Sequence, residues 1–202
     1  MKIALTLSGH LRNYKLTLPS IIKFCDKFNI DIYLLFDYSE KKEHIKDVIN
    51  MCKPKKVKYI KSLDACSNIN MWYKIKEAYG LAKNNNIKYD YYIRGRYDIL
   101  IEKFAEFKLS DLDKYKNKNV LFVGIKNYRL LFLKYNMWLV NGLSDEFFIG
   151  SEKIMNIYSN FYDIVINSNN KCLELYAPEV QFKHLSVLYN TQIVQLKILY
   201  KY

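Results

Sequence analysis

Residues Asp31–Asp37 read DIYLLFD, an apolar run enclosed by two acids. A strand with one wet face alternates; an unbroken apolar run needs cover on both faces, which is the pattern of a buried parallel strand. Upstream, Lys2–Ser8 (KIALTLS) alternates and runs into Ser8-Gly9, a strand that feeds a turn. Between these strands, Leu16–Phe28 carries Leu18, Ile21, Ile22, Cys25 and Phe28 on one helical face. Pro19 lies near the helix start, where its missing N–H is harmless. Downstream, the pattern predicts a polar helix over Glu40–Met51, a strand over Lys56–Lys61 and a helix over Asn70–Asn86, with Trp72, Ile75, Tyr79 and Ala82 on one face. A fourth strand region over Tyr89–Ile101 and a fifth strand over Val120–Val123 follow. Then come a short strand at Phe147–Ile149, helices over Glu152–Ile166 and Pro178–Leu188, and a closing strand at Gln192–Tyr200. This order predicts one α/β domain with a mostly parallel central sheet flanked by helices. The chain contains neither GxGxxG nor GxxxxGK[ST], so dinucleotide and P-loop readings lack their phosphate loops.

Composition narrows the classes. The 202 residues suit a single domain, and half of them are apolar or aromatic, enough for a core without disulfides. Six Gly, three Pro and 26% charge argue against collagen-like and disordered chains. The strongest apolar stretch, Leu130–Leu133, stops at Lys134, far short of the roughly 20 residues of a membrane span. The first residues lack the long apolar region of a signal peptide. Cys25, Cys52, Cys66 and Cys172 form no CxxC pair, which fits reduced thiols and a cytoplasmic setting. The net charge is +12, but Lys residues carry most of it and are scattered. That distribution argues against a nucleic-acid stripe and favours an anionic small molecule.

Four places can carry chemistry. Ser8-Gly9-His10-Leu11-Arg12 follows the first strand, where ligands of open α/β sheets bind. Gly9 lets backbone approach a ligand and Arg12 can reach a phosphate, although an ordinary strand-to-helix turn has the same form. Tyr92–Ile99 (YIRGRYDI) would place Arg94, Arg96 and Asp98 on one face if extended, with a salt bridge of Arg96 to Asp98 or Asp90 as the structural alternative. Only four residues are Arg, and three of them (Arg12, Arg94 and Arg96) lie in these two motifs. Lys does not replace Arg where a planar fork must grip phosphate or carboxylate. Asp145 and Glu146 precede the short strand as a loop carboxylate pair or a general base, with Ser151 a plausible N-cap beyond them. Ala177-Pro178-Glu179 opens a late helix. His184 falls on an apolar face there and reads as structural, as do Trp72 and Tyr79 in the core.

The set SGHLR, a Trp-Tyr-Lys helix over Met71–Ala82, YDYYIRGRYDI, DEFFIGS and a late Pro-Glu helix, in this order, resembles the GT-A-type glycosyltransferase-like proteins of giant viruses and bacterial surface-polysaccharide clusters. The resemblance spans roughly residues 2–190. It implies a nucleotide-diphospho-sugar donor, a glycan or other acceptor, and a nucleotide-binding half over about residues 1–101 with an acceptor-side half over about 102–202. By position, Asp98 stands where the last acid of a DxD motif stands and would meet Mn²⁺ or Mg²⁺. Arg96 occupies the place of the first acid, so Arg94 and Arg96 could neutralise the diphosphate themselves. The implied donor site is Ser8, Gly9, Arg12, Arg94, Arg96 and Asp98. For an inverting transfer a carboxylate must deprotonate the acceptor hydroxyl, and Asp145 is the first choice for that base, with Glu179 second. The alternative is a non-catalytic nucleotide- or glycan-binding protein of the same fold.

Overall fold

In the computed structural model, which describes residues 1–126, 146–167, 181 and 185–201, the DIYLLFD run forms strand β2 (Asp31–Asp37), buried from Ile32 onward. It lies between β1 (Ile3–Leu7), itself wholly buried, and β3 (Lys56–Ile60), paired parallel to both. β3 is the sheet edge, and its two lysines belong there because charged edges resist further pairing. On its other side β1 pairs parallel with β4 (Tyr91–Gly95). The sheet continues through β7 (Phe148–Gly150), β6 (Val120–Lys126) and β8 (Gln192–Lys201) to β5 (Leu100–Lys103), giving the order β3-β2-β1-β4-β7-β6-β8-β5. β7 runs antiparallel to both β4 and β6, β6 pairs parallel with β8, and β8 pairs antiparallel with β5.

Helices cover both faces. Odd-numbered residues of β1 and β4 (Ile3, Leu5, Leu7, Tyr91, Ile93) pack with α1 (Tyr14–Phe28) and α2 (Lys42–Cys52). Even-numbered ones (Ala4, Tyr92) pack with α3 (Ser67–Lys83), α5 (Glu152–Ser159) and α6 (Phe161–Asn167). The period of two thus sends the buried apolar side chains of β1 and β4 alternately to the two helical layers. A single turn, α4 (Ser110–Asp113), buries Leu112 against the α1 side. Among the described residues no helix is long and apolar enough to cross a membrane.

Several expected boundaries change. Tyr89–Ile101 is two strands, not one: β4 ends at Gly95, and β5 joins the opposite edge of the sheet. The break is enforced by packing on the α1 side of the sheet. Tyr97 is fully buried, stacks on Phe36 at 5.5 Å and donates its hydroxyl to the Leu35 carbonyl at 3.0 Å, while Thr17 donates to the Tyr97 carbonyl at 2.5 Å. The helix expected over Asn70–Asn86 starts at Ser67. Asn70 is inside it and ties the preceding loop down through the Leu63 amide and the Leu63 and Ala65 carbonyls. The helix expected over Glu152–Ile166 is interrupted at Asn160. α1 begins at Tyr14, so Pro19 lies past its first turn, where it removes one helical N–H. Of the late helix, the described residues Gln181 and 185–188 are helical, and Gln181 accepts from the Trp72 indole at 2.6 Å. Trp72 is core, 1% exposed.

Candidate functional site

The parallel pairing of β1 with β4 sets Leu7 opposite Gly95, so the two chain segments leave the sheet side by side. The Ser8 amide still bonds the Gly95 carbonyl at 3.3 Å, and the Arg94 Nη1 donates to the Ser8 carbonyl at 3.2 Å. Gly9 takes φ +119°, a conformation L side chains rarely adopt, and lies against the Arg96 side chain. Gly95 is needed for a different reason. A Cβ there would lie 2.9 Å from Leu7 Cδ2 and 3.2 Å from Leu5 Cδ1. These constraints bring the SGHLR turn and the RGR segment together, although more than eighty residues separate them in sequence.

A cavity of about 450 Å³ opens at this junction. Its lining includes Ser8, Gly9, His10 and Arg12 from the first turn, Arg94 and Arg96 from the end of β4, Lys74 and Asn70 from α3, Ser62, and Glu146 before β7. Five of the six expected donor-site residues therefore share one cleft, and Asp98 stands directly behind Arg96. Asp145 and Glu179 lie outside the described residues, as does His184. Glu146, the second member of the expected carboxylate pair, lines the cavity while being only 3% exposed. A larger groove, about 580 Å³, runs between β3 and α3. Its Lys58, Lys76 and Lys83 are paired with Glu77, Asp163 and Glu152, and it lies away from the strand ends that converge at the first cavity.

The charges around the cavity are ordered in depth. Arg96 grips Asp98 side-on, with Nε to Oδ1 and Nη2 to Oδ2 both at 2.8 Å. Asp98 is 6% exposed and does not line the cavity, whereas Arg96 does. The same arrangement recurs on α3. Lys74 lines the cavity and pairs at 3.1 Å with Asp37, a buried acid at the end of β2 that lies behind it. Burial pushes the Asp37 carboxyl up, but hydrogen bonds from Ser62, from the Ser39 hydroxyl and amide, and from Lys74 outweigh it and hold the group well below the usual carboxylate range. The cavity wall thus presents Arg12, Lys74, Arg94 and Arg96, with Glu146 the acid among its lining residues.

The expectation that Asp98 could hold Mn²⁺ or Mg²⁺ meets a geometric obstacle. Hard divalent ions take carboxylate oxygens, and both oxygens of Asp98 are engaged by one guanidinium. Among the described residues no three His, Cys, Asp or Glu side chains cluster as metal ligands. The described donor set does not fit a divalent ion.

Sequence reading missed Lys74, Asp37 and Ser62. The signals were an acid at the carboxyl end of a buried parallel strand and, among the buried residues of α3, a single charged side chain, Lys74.

No family model and no curated protein sequence matches the chain. Solved structures do match in fold. A glycosyltransferase involved in the glycosylation of the major capsid of PBCV-1 superposes with a TM-score of 0.59 at 8% identity, over 98% of this chain and 82% of that one. The Mn/GDP form of core-mannan synthase A from Aspergillus fumigatus gives 0.57 at 12% identity, over 100% of this chain and 74% of that one. A Bacillus anthracis protein assigned as a glucose-1-phosphate thymidylyltransferase gives 0.52 at 10% identity, over 98% of this chain and 87% of that one. The α/β sheet, with its parallel β3-β2-β1-β4 half extended by antiparallel β7, thus has a GT-A-like, Rossmann-like fold.

Proposed function

We propose that the protein is a glycosyltransferase that moves a sugar from a nucleotide-diphospho-sugar donor to a glycan or other acceptor. The observation that carries this reading is the convergence of Arg12, Lys74, Arg94 and Arg96 on one cavity at the ends of β1 and β4. Transfer breaks the bond between the anomeric carbon and the diphosphate oxygen, and negative charge grows on the departing nucleoside diphosphate. Cations fixed in place before the reaction stabilise that charge without reorganising. Ser8 and Gly9 let the chain backbone come close to the phosphates, and Arg12 grips them from the first turn.

The acceptor hydroxyl must lose a proton as it attacks, and in an inverting reaction a carboxylate takes it. Asp145 is the first choice for that base from the sequence, and Glu179 the second. Glu146 is the adjacent carboxylate that lines the cavity, and we assign it the role of base or acceptor-positioning group. The acceptor side is assigned to the chain beyond residue 102. A second reading, a nucleotide- or glycan-binding protein without turnover, draws support from Arg96 at the place of the first acid of a DxD motif. Thermal-shift screening against UDP-, GDP- and dTDP-sugars tests donor binding. Release of nucleoside diphosphate in the presence of candidate acceptors then separates the enzyme from the binding protein. Stabilisation by none of the three nucleotide sugars would refute the glycosyltransferase reading and nucleotide binding, leaving only glycan binding of the second reading.

A further inference from the structure

We infer that the cavity holds the donor's diphosphate with cations that buried carboxylates orient from behind, Arg96 set by Asp98 and Lys74 set by Asp37, and that Asp98 is a positioning residue, not a metal ligand. The inference rests on the donor-binding reading above and specifies how that site recognises its anion.

The order of the charges carries it. In a site that binds phosphate through a divalent ion, carboxylate oxygens face the ligand and the metal bridges the two. Here the order is reversed: Arg96 and Lys74 form the cavity wall, and their acids lie behind it. A side-on carboxylate uses one N–H of Nε and one of Nη2, and a guanidinium has five in a rigid plane. Holding one edge of that plane fixes the direction of the other edge before a ligand arrives, so less freedom is lost on binding. Lys74 gains the same benefit, since a flexible ammonium is pinned at 3.1 Å by an acid that Ser39 and Ser62 already fix. The two devices come from different elements, the end of β4 and the middle of α3, yet face one cavity. Coincidental ion pairing has no reason to place both cations forward and both acids back.

The test is calorimetric titration of the full chain with UDP, GDP and dTDP, once in EDTA and once in excess Mn²⁺. The expected result is binding of at least one nucleotide in EDTA, with an affinity that Mn²⁺ changes by less than about threefold, since no metal–ligand bond is gained. Affinity that rises about threefold or more with Mn²⁺ overturns the inference and leaves the donor-binding reading intact. Failure of all three nucleotides under both conditions refutes that reading and the inference with it.

Asp98→Asn and Arg96→Lys extend the test. Each should weaken binding about tenfold, the scale of one hydrogen bond to a charged group, and by the same factor in EDTA as in Mn²⁺. A loss in Asp98→Asn seen only with Mn²⁺ identifies a metal ligand and overturns the inference. The wild-type comparison decides the question even if a variant fails to fold.

Discussion

The pair Arg96–Asp98 offers a quantitative test in the absence of any ligand. Its two bonds, both 2.8 Å, join groups that are 21% and 6% exposed, so the pair is mostly but not wholly removed from water. A hydrogen bond to a charged group contributes about 1.5–3 kcal/mol, and two of them set an upper bound near 6 kcal/mol. Solvent reaching about a fifth of the Arg96 side chain screens that value. An exposed pair would give roughly 0.2–1 kcal/mol, and coupled neighbours span about 0.5–3 kcal/mol. We therefore expect a coupling energy of about 2–3 kcal/mol from the cycle of Arg96→Met, Asp98→Asn and the double variant. Urea unfolding followed by circular dichroism measures all four proteins. Arg96→Met should be the worst single change, because it leaves the Asp98 carboxylate buried without its counter-ion. A coupling below about 1 kcal/mol would mean a solvated pair and would remove the basis for treating Asp98 as the brace of Arg96.

Three further outcomes follow from the same geometry. Gly95→Ala should cost roughly 1–3 kcal/mol of stability, because the new methyl meets Leu7 and Leu5, both buried and held by the sheet; thermal melting within a degree of wild type would show that β1 can yield. Asp37 is held below its ordinary pKa when folded, so its contribution is complete above about pH 4 and is lost as pH falls through lower values. Melting temperatures from pH 5 down to pH 3 should therefore fall less steeply in Asp37→Asn than in wild type, and parallel profiles would contradict the assignment. Glu146→Gln should abolish transfer while leaving nucleotide binding within about threefold of wild type, and retained turnover would take Glu146 out of the base role.

Much of the fold was legible because the strands that decide it have unambiguous patterns. DIYLLFD reads as a buried parallel strand and KIALTLS as a strand feeding a turn, although the alternation of KIALTLS did not show that β1 is covered on both faces. The turns after both lie at the carboxyl ends of parallel strands. The co-location of Arg12 with Arg94 and Arg96 follows from that placement and from the scarcity of Arg in a Lys-rich chain. The segment Tyr89–Ile101 misled because its alternation persists through a turn. Only tertiary contacts of Tyr97, with Phe36, Leu35 and Thr17, stop β4 at Gly95 and send the chain to the far edge. The role of Arg96 was half visible, since its ion pair with Asp98 was the structural alternative to phosphate binding. Its geometry shows that one guanidinium can line the cavity and hold the acid together. Lys74 stayed hidden because a Lys amid apolar helix positions carries no signal of direction until Asp37, thirty-seven residues earlier, is brought beside it.

A crystal structure of the protein with bound nucleoside diphosphate tests the central claim most directly. The phosphate oxygens should lie within hydrogen-bond distance of Arg96 and at least one of Arg12 and Lys74, in the cavity at the ends of β1 and β4. Phosphates found in the groove lined by Lys56, Lys58, Lys76 and Lys83, or bound at the β1–β4 junction through an ion on Asp98, would contradict it.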